Sequence, residues 1–280
     1  MNCKIRNGKR ICKYPLTSSS RQINIALQKG NHYIKTHVSK SDLKLIREVA
    51  RKSETGDNSL KKCLKKDGTL KKSCENFHSE IINNELNKVN SDRKDPDLYI
   101  MGGIPGSGKT TVLRKFIPEK TVLIDSDEFK EKLSKNYPSK SKRFKLIHAS
   151  LLHNQADVLV AEAINKAIRT KKNVTVDMTF GNLMKGNGII KQFRKAGYDI
   201  HYLGTQKYPH KSIPYVAERF IEKGRYVPLE YVAEKGNKIS KNSWKARKLA
   251  DSYIIYDTNK KPGFVVTKSK VKINENVRDP

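Results

Sequence analysis

A glycine-rich stretch, GGIPGSGKTT at residues 102–111, has the residue types and spacing of a phosphate-binding loop. Gly103, Gly108, Lys109 and Thr110 fit the pattern G-x-x-x-x-G-K-[ST], in which backbone N–H groups surround phosphate oxygens at the start of a helix. The context agrees, since the apolar run LYIMGGI precedes the loop and KTTVLRKF can begin a helix after it. We predict that the loop binds ATP or GTP. The residues assigned to the nucleotide are Gly103, Ile104, Pro105, Gly106, Ser107, Gly108, Lys109, Thr110 and Thr111.

Two carboxylates in the segment IDSDEFK could do chemistry beside this loop. Asp125 ends a predicted strand and Asp127 begins the next helix. The Thr110 hydroxyl and the Asp125 carboxylate are oxygen ligands of the kind that Mg²⁺ prefers, and Asp127 could act as a general base on a hydroxyl group. Capping of the helix by Ser126 or Asp127 is the alternative interpretation, and it does not exclude a catalytic role.

Further polar residues follow two later elements. Asp177 and Thr179, in VDMTF, would face the same crevice as substrate-binding residues, the alternative being an ordinary turn after a strand. Arg219 and Arg225, in ERFIEKGRYVP, surround a glycine turn and could stabilise the charge of a transferring phosphoryl group. Taken alone they would be solvated surface arginines, but a nearby P-loop favours the catalytic interpretation.

Alternating strands and helices must position these residues. Apolar strands separated by helices predict a parallel sheet covered on both faces, with ligands at the carboxyl ends of the strands. The fold class expected is therefore α/β, a P-loop NTPase or kinase sheet with helices on both faces. The predicted strands are 98–102, 121–125, 173–178, 199–204 and 252–257. The predicted helices are 109–116, 126–134, 143–170, 183–196, 211–222 and 228–249.

The first part of the chain is different, and we predict a basic N-terminal extension over residues 1–75 that is partly helical or disordered. Residues 1 to about 70 are polar and irregular, apart from a helix predicted at 39–53. A second amphipathic helix is predicted at 74–89, and Asp67-Gly68 indicates a turn. The spacing of the four cysteines, at 3, 12, 63 and 74, is too wide for zinc knuckles, so we expect free thiols.

The charge of the chain is its most unusual bulk property. Lys and Arg number 58 against 28 Asp and Glu, a net charge of +30, and the excess is spread along the whole chain. A generally basic surface is one explanation, and a nucleic-acid groove is the other. No run is long and apolar enough to span a membrane, and the basic N-terminus lacks the apolar core of a secretory signal. We therefore expect a cytoplasmic protein without a membrane partner.

The order of these features resembles the zeta toxin family of P-loop kinases over about residues 76 to 258. The resemblance depends on GGIPGSGKTT, LIDSDEFK, VTVDMTF, RFIEKGRYVP and the closing ADSYIIYDTN. It implies a kinase domain over 76–280 that transfers phosphate from ATP to a sugar hydroxyl, with UDP-N-acetylglucosamine as the best-known acceptor. The family also implies an antitoxin protein as a partner, if this chain is toxic.

The resemblance assigns a role to each matching residue. It makes Asp127 the catalytic base, Lys109 and Thr110 the contacts to ATP and Mg²⁺, and Arg219 and Arg225 the arginines of a lid over the phosphates. It also makes Asp177 a substrate-holding acid and His153, near the start of the helix LLHNQADVLVAEAI, a substrate-facing residue; an ordinary helix histidine is the alternative. The family motif often continues from its threonine to a substrate-binding arginine, whereas here Thr179 is followed by FGNLMK.

Two other functions remain open from the sequence. A nucleic-acid kinase, acting on a 5′-hydroxyl or a modified base, would use the same loop and aspartate, and the net charge favours it. An ATP-dependent nucleic-acid-binding or virion-associated protein would bind or hydrolyse ATP without needing Asp127.

Overall fold

The computed structural model describes residues 14–54, 58–89 and 94–259, together with the backbones of the strands at 3–6, 9–12 and 264–268. The ends of the predicted extension and of the predicted kinase domain, before residue 14 and after residue 259, lie outside these ranges apart from those three strands. Within the described part of the chain, no helix combines the length and the apolar character needed to cross a membrane.

A mixed sheet of six strands forms the centre of the described structure. Its spatial order is β4-β5-β3-β6-β7-β8, with parallel pairing throughout except for the antiparallel edge strand β8. A separate antiparallel pair, β1 with β2, lies near the N-terminus. The strands are β1 Cys3–Arg6, β2 Lys9–Cys12, β3 Asp97–Gly102, β4 Val122–Asp125, β5 Val174–Asp177, β6 Asp199–Gln206, β7 Ser252–Asp257 and β8 Phe264–Lys268.

Helices cover both faces of the five parallel strands, because these strands are apolar on both sides and need cover from water. The helices are α1 Ser20–His37, α2 Lys40–Glu54, α3 Ser59–Cys63, α4 Lys72–Leu86, α5 Lys109–Leu113, α6 Ser126–Leu133, α7 His153–Arg169, α8 Leu183–Lys195, α9 Pro209–Lys223 and α10 Leu229–Ala246. This five-strand parallel core confirms the fold class expected from the sequence.

Two of the predicted helices need correction. The helix predicted at 143–170 is shorter, because a 3-10 turn at Ala149–Leu152 precedes α7 and residues 143–148 are irregular. Phe144 and Ile147 are buried there and pack against the residues of α9, which fixes the irregular path. The helix predicted at 109–116 is α-helical only over Lys109–Leu113 and ends in a 3-10 turn.

The expectation that residues 1–70 are irregular outside the helix at 39–53 is wrong for residues 20–37. Helix α1 spans 18 residues and begins with a capping box, in which Ser19 and Gln22 satisfy each other's backbone N–H groups. The helix predicted at 39–53 is confirmed as α2, and the one predicted at 74–89 as α4. The extension is thus largely helical over its described residues.

The expectation of free thiols was also wrong for two cysteines. Cys63 and Cys74 form a disulfide, with their Cα atoms 5.7 Å apart. The turn at Asp67-Gly68 reverses the chain between them, and Leu64 and Leu70 pair across it. Cys63 and Cys74 are too far apart in sequence for a zinc knuckle, but the turn between them brings the two side chains together. Their disulfide links α3 to α4.

Candidate active site

The register of the parallel strands brings two of the candidate carboxylates side by side. Asp125 is the last residue of β4 and lies directly opposite Asp177, the last residue of β5. Met101, just before the P-loop, lies opposite Asp177 on the other side. Side chains opposite each other on neighbouring strands share a face about 5 Å apart, so the two carboxylates are neighbours and Asp177 lies beside the strand that leads into the loop.

The P-loop itself is covered by helix α9. Ser212 donates a hydrogen bond to the Pro105 carbonyl, and Gly106 has a positive φ of 72°. A Cβ atom at Gly106 would lie 2.8 Å from the Ser212 carbonyl oxygen and 2.8 Å from a methyl group of Val216. The loop therefore needs glycine here both for its backbone conformation and for the close approach of α9.

Lys109 bridges the P-loop and the end of β5. Its Nζ donates to the Gly103 carbonyl at 3.3 Å and lies 3.7 Å from Asp177 Oδ1. Both side chains are largely buried. Helix α5 starts at Lys109, and neither Thr110 nor Thr111 is buried, so their side chains remain accessible beside this cationic centre.

Asp127 lies between two cations. Lys130 Nζ is 3.1 Å from its Oδ1 atom, and Arg225 Nη2 is 3.1 Å from its Oδ2 atom. Burial pushes the pKa of Asp127 upward, but Lys130 and Arg225 outweigh burial and hold it well below the usual range for aspartate. The carboxylate is thus ionised and about one-third exposed, at the first turn of α6.

The other two carboxylates behave in the opposite way. Burial, with the charges of Asp177 and Asp127, raises the pKa of Asp125 to about 7. Burial also raises the pKa of Asp177, although Lys109 opposes it. Asp125 in addition caps α6 by accepting the Asp127 backbone N–H at 2.8 Å. The helix cap, predicted at Ser126 or Asp127, is therefore Asp125.

The two arginines come from α9 and the turn that follows it. Arg219 is half-buried and interacts electrostatically with Arg225 and with all three carboxylates. Gly224 ends α9 in the left-handed conformation, and Arg225 follows it. Arg225 Nε is buried and has no hydrogen-bond partner among the described residues. A buried donor without a partner is costly, and an anion would satisfy it.

The predicted substrate residues are less closely grouped. His153 begins α7, with its Nε2 3.9 Å from Asp157 Oδ2. Burial, and next the charge of Lys130, lower the pKa of His153. Thr179 Oγ1 accepts the Gly181 backbone N–H at 3.3 Å. The structure therefore places His153 on the α6–α7 side of Asp127, and Thr179 in the turn after Asp177.

Sequence reasoning missed two lysines that border this site. Lys130 pairs with Asp127, and its spacing three residues later on α6 could have indicated the pair. Lys185 Nζ lies 2.7 Å from Asp157, between α7 and α8. Only the packing of two helices brings Lys185 here, so the sequence held no comparable indication.

Comparison with known proteins agrees with this geometry. The family model described as Zeta toxin matches residues 82–268. The chain belongs to the zeta toxin family. A sequence search against curated proteins gives no match. The family match begins inside α4, so α1 to α3 lie outside it.

Solved structures share the fold at low sequence identity. A chain from the PezAT chromosomal toxin–antitoxin system of Streptococcus pneumoniae aligns with a TM-score of 0.51 and 14% identity, over 72% of this zeta toxin family chain and 84% of its own. A chain of the AvrRxo1-ORF1:AvrRxo1-ORF2 complex with sulphate ions aligns with a TM-score of 0.54 and 16% identity, over 75% and 73%. The AvrRxo1-ORF1:-ORF2 structure with ATP gives 0.51 and 16%, over 72% and 68%.

Proposed function

We propose that this protein is a kinase that transfers the γ-phosphate of MgATP to a hydroxyl group of a small molecule, a nucleotide sugar such as UDP-N-acetylglucosamine. The observation that carries the proposal is the position of Asp127, an ionised carboxylate held by Lys130 and Arg225 at the edge of the sheet that also holds the P-loop. A related fold has been solved with ATP.

The residues present fit a nucleoside triphosphate. Lys109 and Arg219 supply positive charge, and Arg225 Nε, which has no partner within the described part of the chain, offers a donor to a phosphate oxygen. Among the described residues, no group of three or more His, Cys, Asp or Glu is arranged to hold a metal ion. Mg²⁺ is usually held by one or two carboxylates together with substrate phosphates. The Thr110 hydroxyl and the carboxylate of Asp125 or Asp177 are therefore enough protein ligands for this ion. When bound, the ion would neutralise charge on the phosphates.

In the proposed mechanism, Asp127 aligns the acceptor hydroxyl with the γ-phosphorus and accepts its proton. The acceptor oxygen forms a bond to phosphorus while the bond to the bridging β–γ oxygen breaks, and ADP leaves. Lys109, Arg219 and Arg225 stabilise the charge of the transferring group. A strongly ionised Asp127 is adequate, because a loose transition state needs orientation more than deprotonation. Arg225 must turn from Asp127 towards the phosphates, which frees one carboxylate oxygen for the acceptor.

The acceptor would lie on the side of His153, Asp157 and Lys185, with Asp177 and Thr179 at its base. The family's arginine after the threonine is absent, since Thr179 is followed by FGNLMK. We propose that Lys130 and Lys185 supply the positive charge towards the acceptor instead.

A nucleic-acid hydroxyl is the second candidate acceptor, and the net charge of +30 favours it. A kinase of this kind would use the same nucleotide site and the same Asp127. We also propose that a toxic activity would be controlled by an antitoxin protein, since a related structure comes from a toxin–antitoxin system.

The test is the transfer of label from γ-labelled ATP with Mg²⁺. One pool of acceptors holds nucleotide sugars and nucleosides, and a second holds 5′-hydroxyl DNA and RNA. Asp127→Asn is the test variant. Asp199→Asn is its matched control, because Asp199 is exposed at the opposite, amino end of β6.

Each outcome decides between the candidates. Label in a small molecule, lost in Asp127→Asn and kept in Asp199→Asn, supports the proposed function and identifies the acceptor. Label in nucleic acid under the same criteria supports the second candidate. Equal transfer by Asp127→Asn, or ATP binding without transfer to either pool, contradicts the role of Asp127 as a base for these acceptors.

A further inference from the structure

Helix α1, which lies outside the family match, is seated on the helix that covers the P-loop. Its buried residues Ile23, Ala26, Gly30 and Ile34 repeat at helical spacing and form one face. This face packs in one core cluster with the buried residues of α9 and the first turns of α10. The partners are Ile213, Val216, Ala217, Phe220, Leu229 and Val232.

Gly30 marks the closest approach between these helices. A Cβ atom there would lie 2.7 Å from a methyl group of Leu229 on α10 and 3.2 Å from a methyl group of Ile213 on α9. Glycine in the middle of a helix is destabilising relative to alanine. Its presence is explained by the close packing, since α1 lies in the groove between α9 and α10.

The residues just before α1, 14–18, form a segment that we call the N-terminal strap. The Leu16 backbone N–H donates to Gln206 at the end of β6, and Ser240 of α10 donates to the Leu16 carbonyl. Ser18 is bound on both sides. Its backbone exchanges hydrogen bonds with Asn237 of α10, at 2.7 and 2.9 Å. Its hydroxyl lies 2.8 Å from His210 Nδ1 and accepts the His210 backbone N–H at the start of α9.

Helix α9 therefore has the extension on one side and the nucleotide site on the other. Ser212 and Val216 contact the P-loop at Pro105 and Gly106. Arg219 lies on the same helix, and Arg225 follows its end. The chain from Leu16 to Ile34 thus packs against the helix that carries Arg219 and leads into Arg225.

We propose that the strap and helix α1 position Arg219 and Arg225 for the nucleotide phosphates. Residues 16–34 thus act on ATP binding through α9 and not by contact with the nucleotide. The inference rests on the proposed binding of ATP. The proposed boundary near residue 75 then separates the family domain from an addition that completes its nucleotide site.

The first experiment measures the affinity for ATP by displacement of a fluorescent ATP analogue from the full-length chain. Gly30→Leu places a side chain into the groove between α9 and α10. Lys29→Leu is the matched control, because it introduces the same side chain at a neighbouring exposed position of α1. We expect ATP affinity to fall about tenfold or more in Gly30→Leu, since small displacements of positioning groups have effects of this size. Lys29→Leu should bind like the wild type.

A double-mutant cycle shows whether the effect passes through the arginines. If α1 acts by positioning Arg219 and Arg225, the loss caused by Gly30→Leu should be much smaller in an Arg219→Ala/Arg225→Ala background. A merely structural role of α1 would give the same fold-loss in both backgrounds. Additive losses, or an unchanged affinity in folded Gly30→Leu, would overturn the proposal.

If Gly30→Leu does not fold, Ser18→Ala tests whether the extension affects the affinity for ATP. This change removes the hydroxyl contacts to His210 and leaves the packing of α1 intact. We expect a several-fold loss of ATP affinity, rescue by Ser18→Thr, and no loss in the arginine-free background. Ser18→Ala with wild-type affinity overturns the proposal. The affinity for ATP is measured without an acceptor, so this test does not depend on phosphoryl transfer. If the wild type transfers no phosphate, the proposed reaction is contradicted but the test of ATP affinity remains valid.

Discussion

At the scale of the residue, two cations clamp the carboxylate of Asp127. Arg225 Nη2 lies 3.1 Å from Oδ2 of Asp127. Lys130 completes the clamp on the other carboxylate oxygen. Sequence motifs name the charged residues of such a site, but they do not give the pairing, because it depends on where α9 ends relative to α6.

The clamp makes a prediction for the pH dependence of transfer. Asp127 must be ionised to accept a proton, and Lys130 helps to keep its pKa below the usual range. Lys130→Met removes this charge, so the pKa of Asp127 rises and the acid limb of the kcat/KM profile moves to higher pH. Lys135→Met is the control, because Lys135 is an exposed lysine that follows the same helix. An acid limb at the same pH in both variants would show that Lys130 does not set this pKa.

The raised pKa of Asp125 makes a prediction for stability. Between pH 3.8, the ordinary pKa, and about 7, Asp125 keeps its proton in the folded state but loses it in the unfolded state. The contribution of Asp125 to the free energy of unfolding is therefore favourable at low pH and is lost as the pH rises towards 7. The effect is about 1.4 kcal/mol for each unit of pKa difference. Asn at position 125 can still accept the Asp127 N–H but carries no charge.

We therefore expect Asp125→Asn, without added Mg²⁺, to raise Tm relative to the wild type at pH 8, and to raise it less at pH 4. Thermal unfolding followed by circular dichroism at both pH values measures the difference, with Asp199→Asn as the control carboxylate. A Tm gain that is the same at pH 4 and pH 8 would rule out this explanation.

At the scale of the element, the sequence predicted the parallel strands well and the N-terminal helices poorly. Each predicted strand of the core ends within two residues of the observed one, because runs such as NVTVDM are apolar, β-branched and bounded by polar turns. The sequence interpretation missed helix α1, although Ser19 and Gln22 have the residue types and the spacing of a capping box. Its apolar face is narrow and contains Gly30, and only the groove between α9 and α10 explains that face.

The disulfide makes a prediction at this scale. The Cys63–Cys74 link closes a short loop between α3 and α4, with a sequence separation of 11. In the chain-entropy model, a loop of this length restricts the unfolded state by about 3 kcal/mol. We expect Cys74→Ala to unfold at lower urea concentration than the wild type under non-reducing conditions.

Peptide mapping by mass spectrometry without reductant checks the link itself, and should find the peptides of Cys63 and Cys74 joined. Ser73→Ala, a change at an exposed neighbouring position, serves as the control for local effects on α4. Alkylation of both cysteines in the native protein would contradict the disulfide.

At the scale of the whole molecule, the positive charge is the property least explained by the site. The site uses a few cations, Lys109, Lys130, Arg219 and Arg225 among them, whereas the chain carries 58 Lys and Arg. The remaining Lys and Arg are spread along the whole sequence, including residues 1–75. A large positive net charge attracts nucleic acids of any sequence, because this kind of binding depends on contacts with phosphates and on the release of counterions.

We therefore expect the protein to bind single-stranded and duplex DNA without sequence preference, and to lose most of this affinity between about 50 and about 200 mM salt. Two oligonucleotides of one sequence, with a 5′-hydroxyl or a 5′-phosphate, separate charge from catalysis, because only the first can accept a phosphoryl group at that end. Under the proposed small-molecule function, both should bind equally in a fluorescence-anisotropy titration and neither should accept label. Tighter binding of the 5′-hydroxyl oligonucleotide, with transfer that needs Asp127, would instead mean that the charge guides the acceptor to the site.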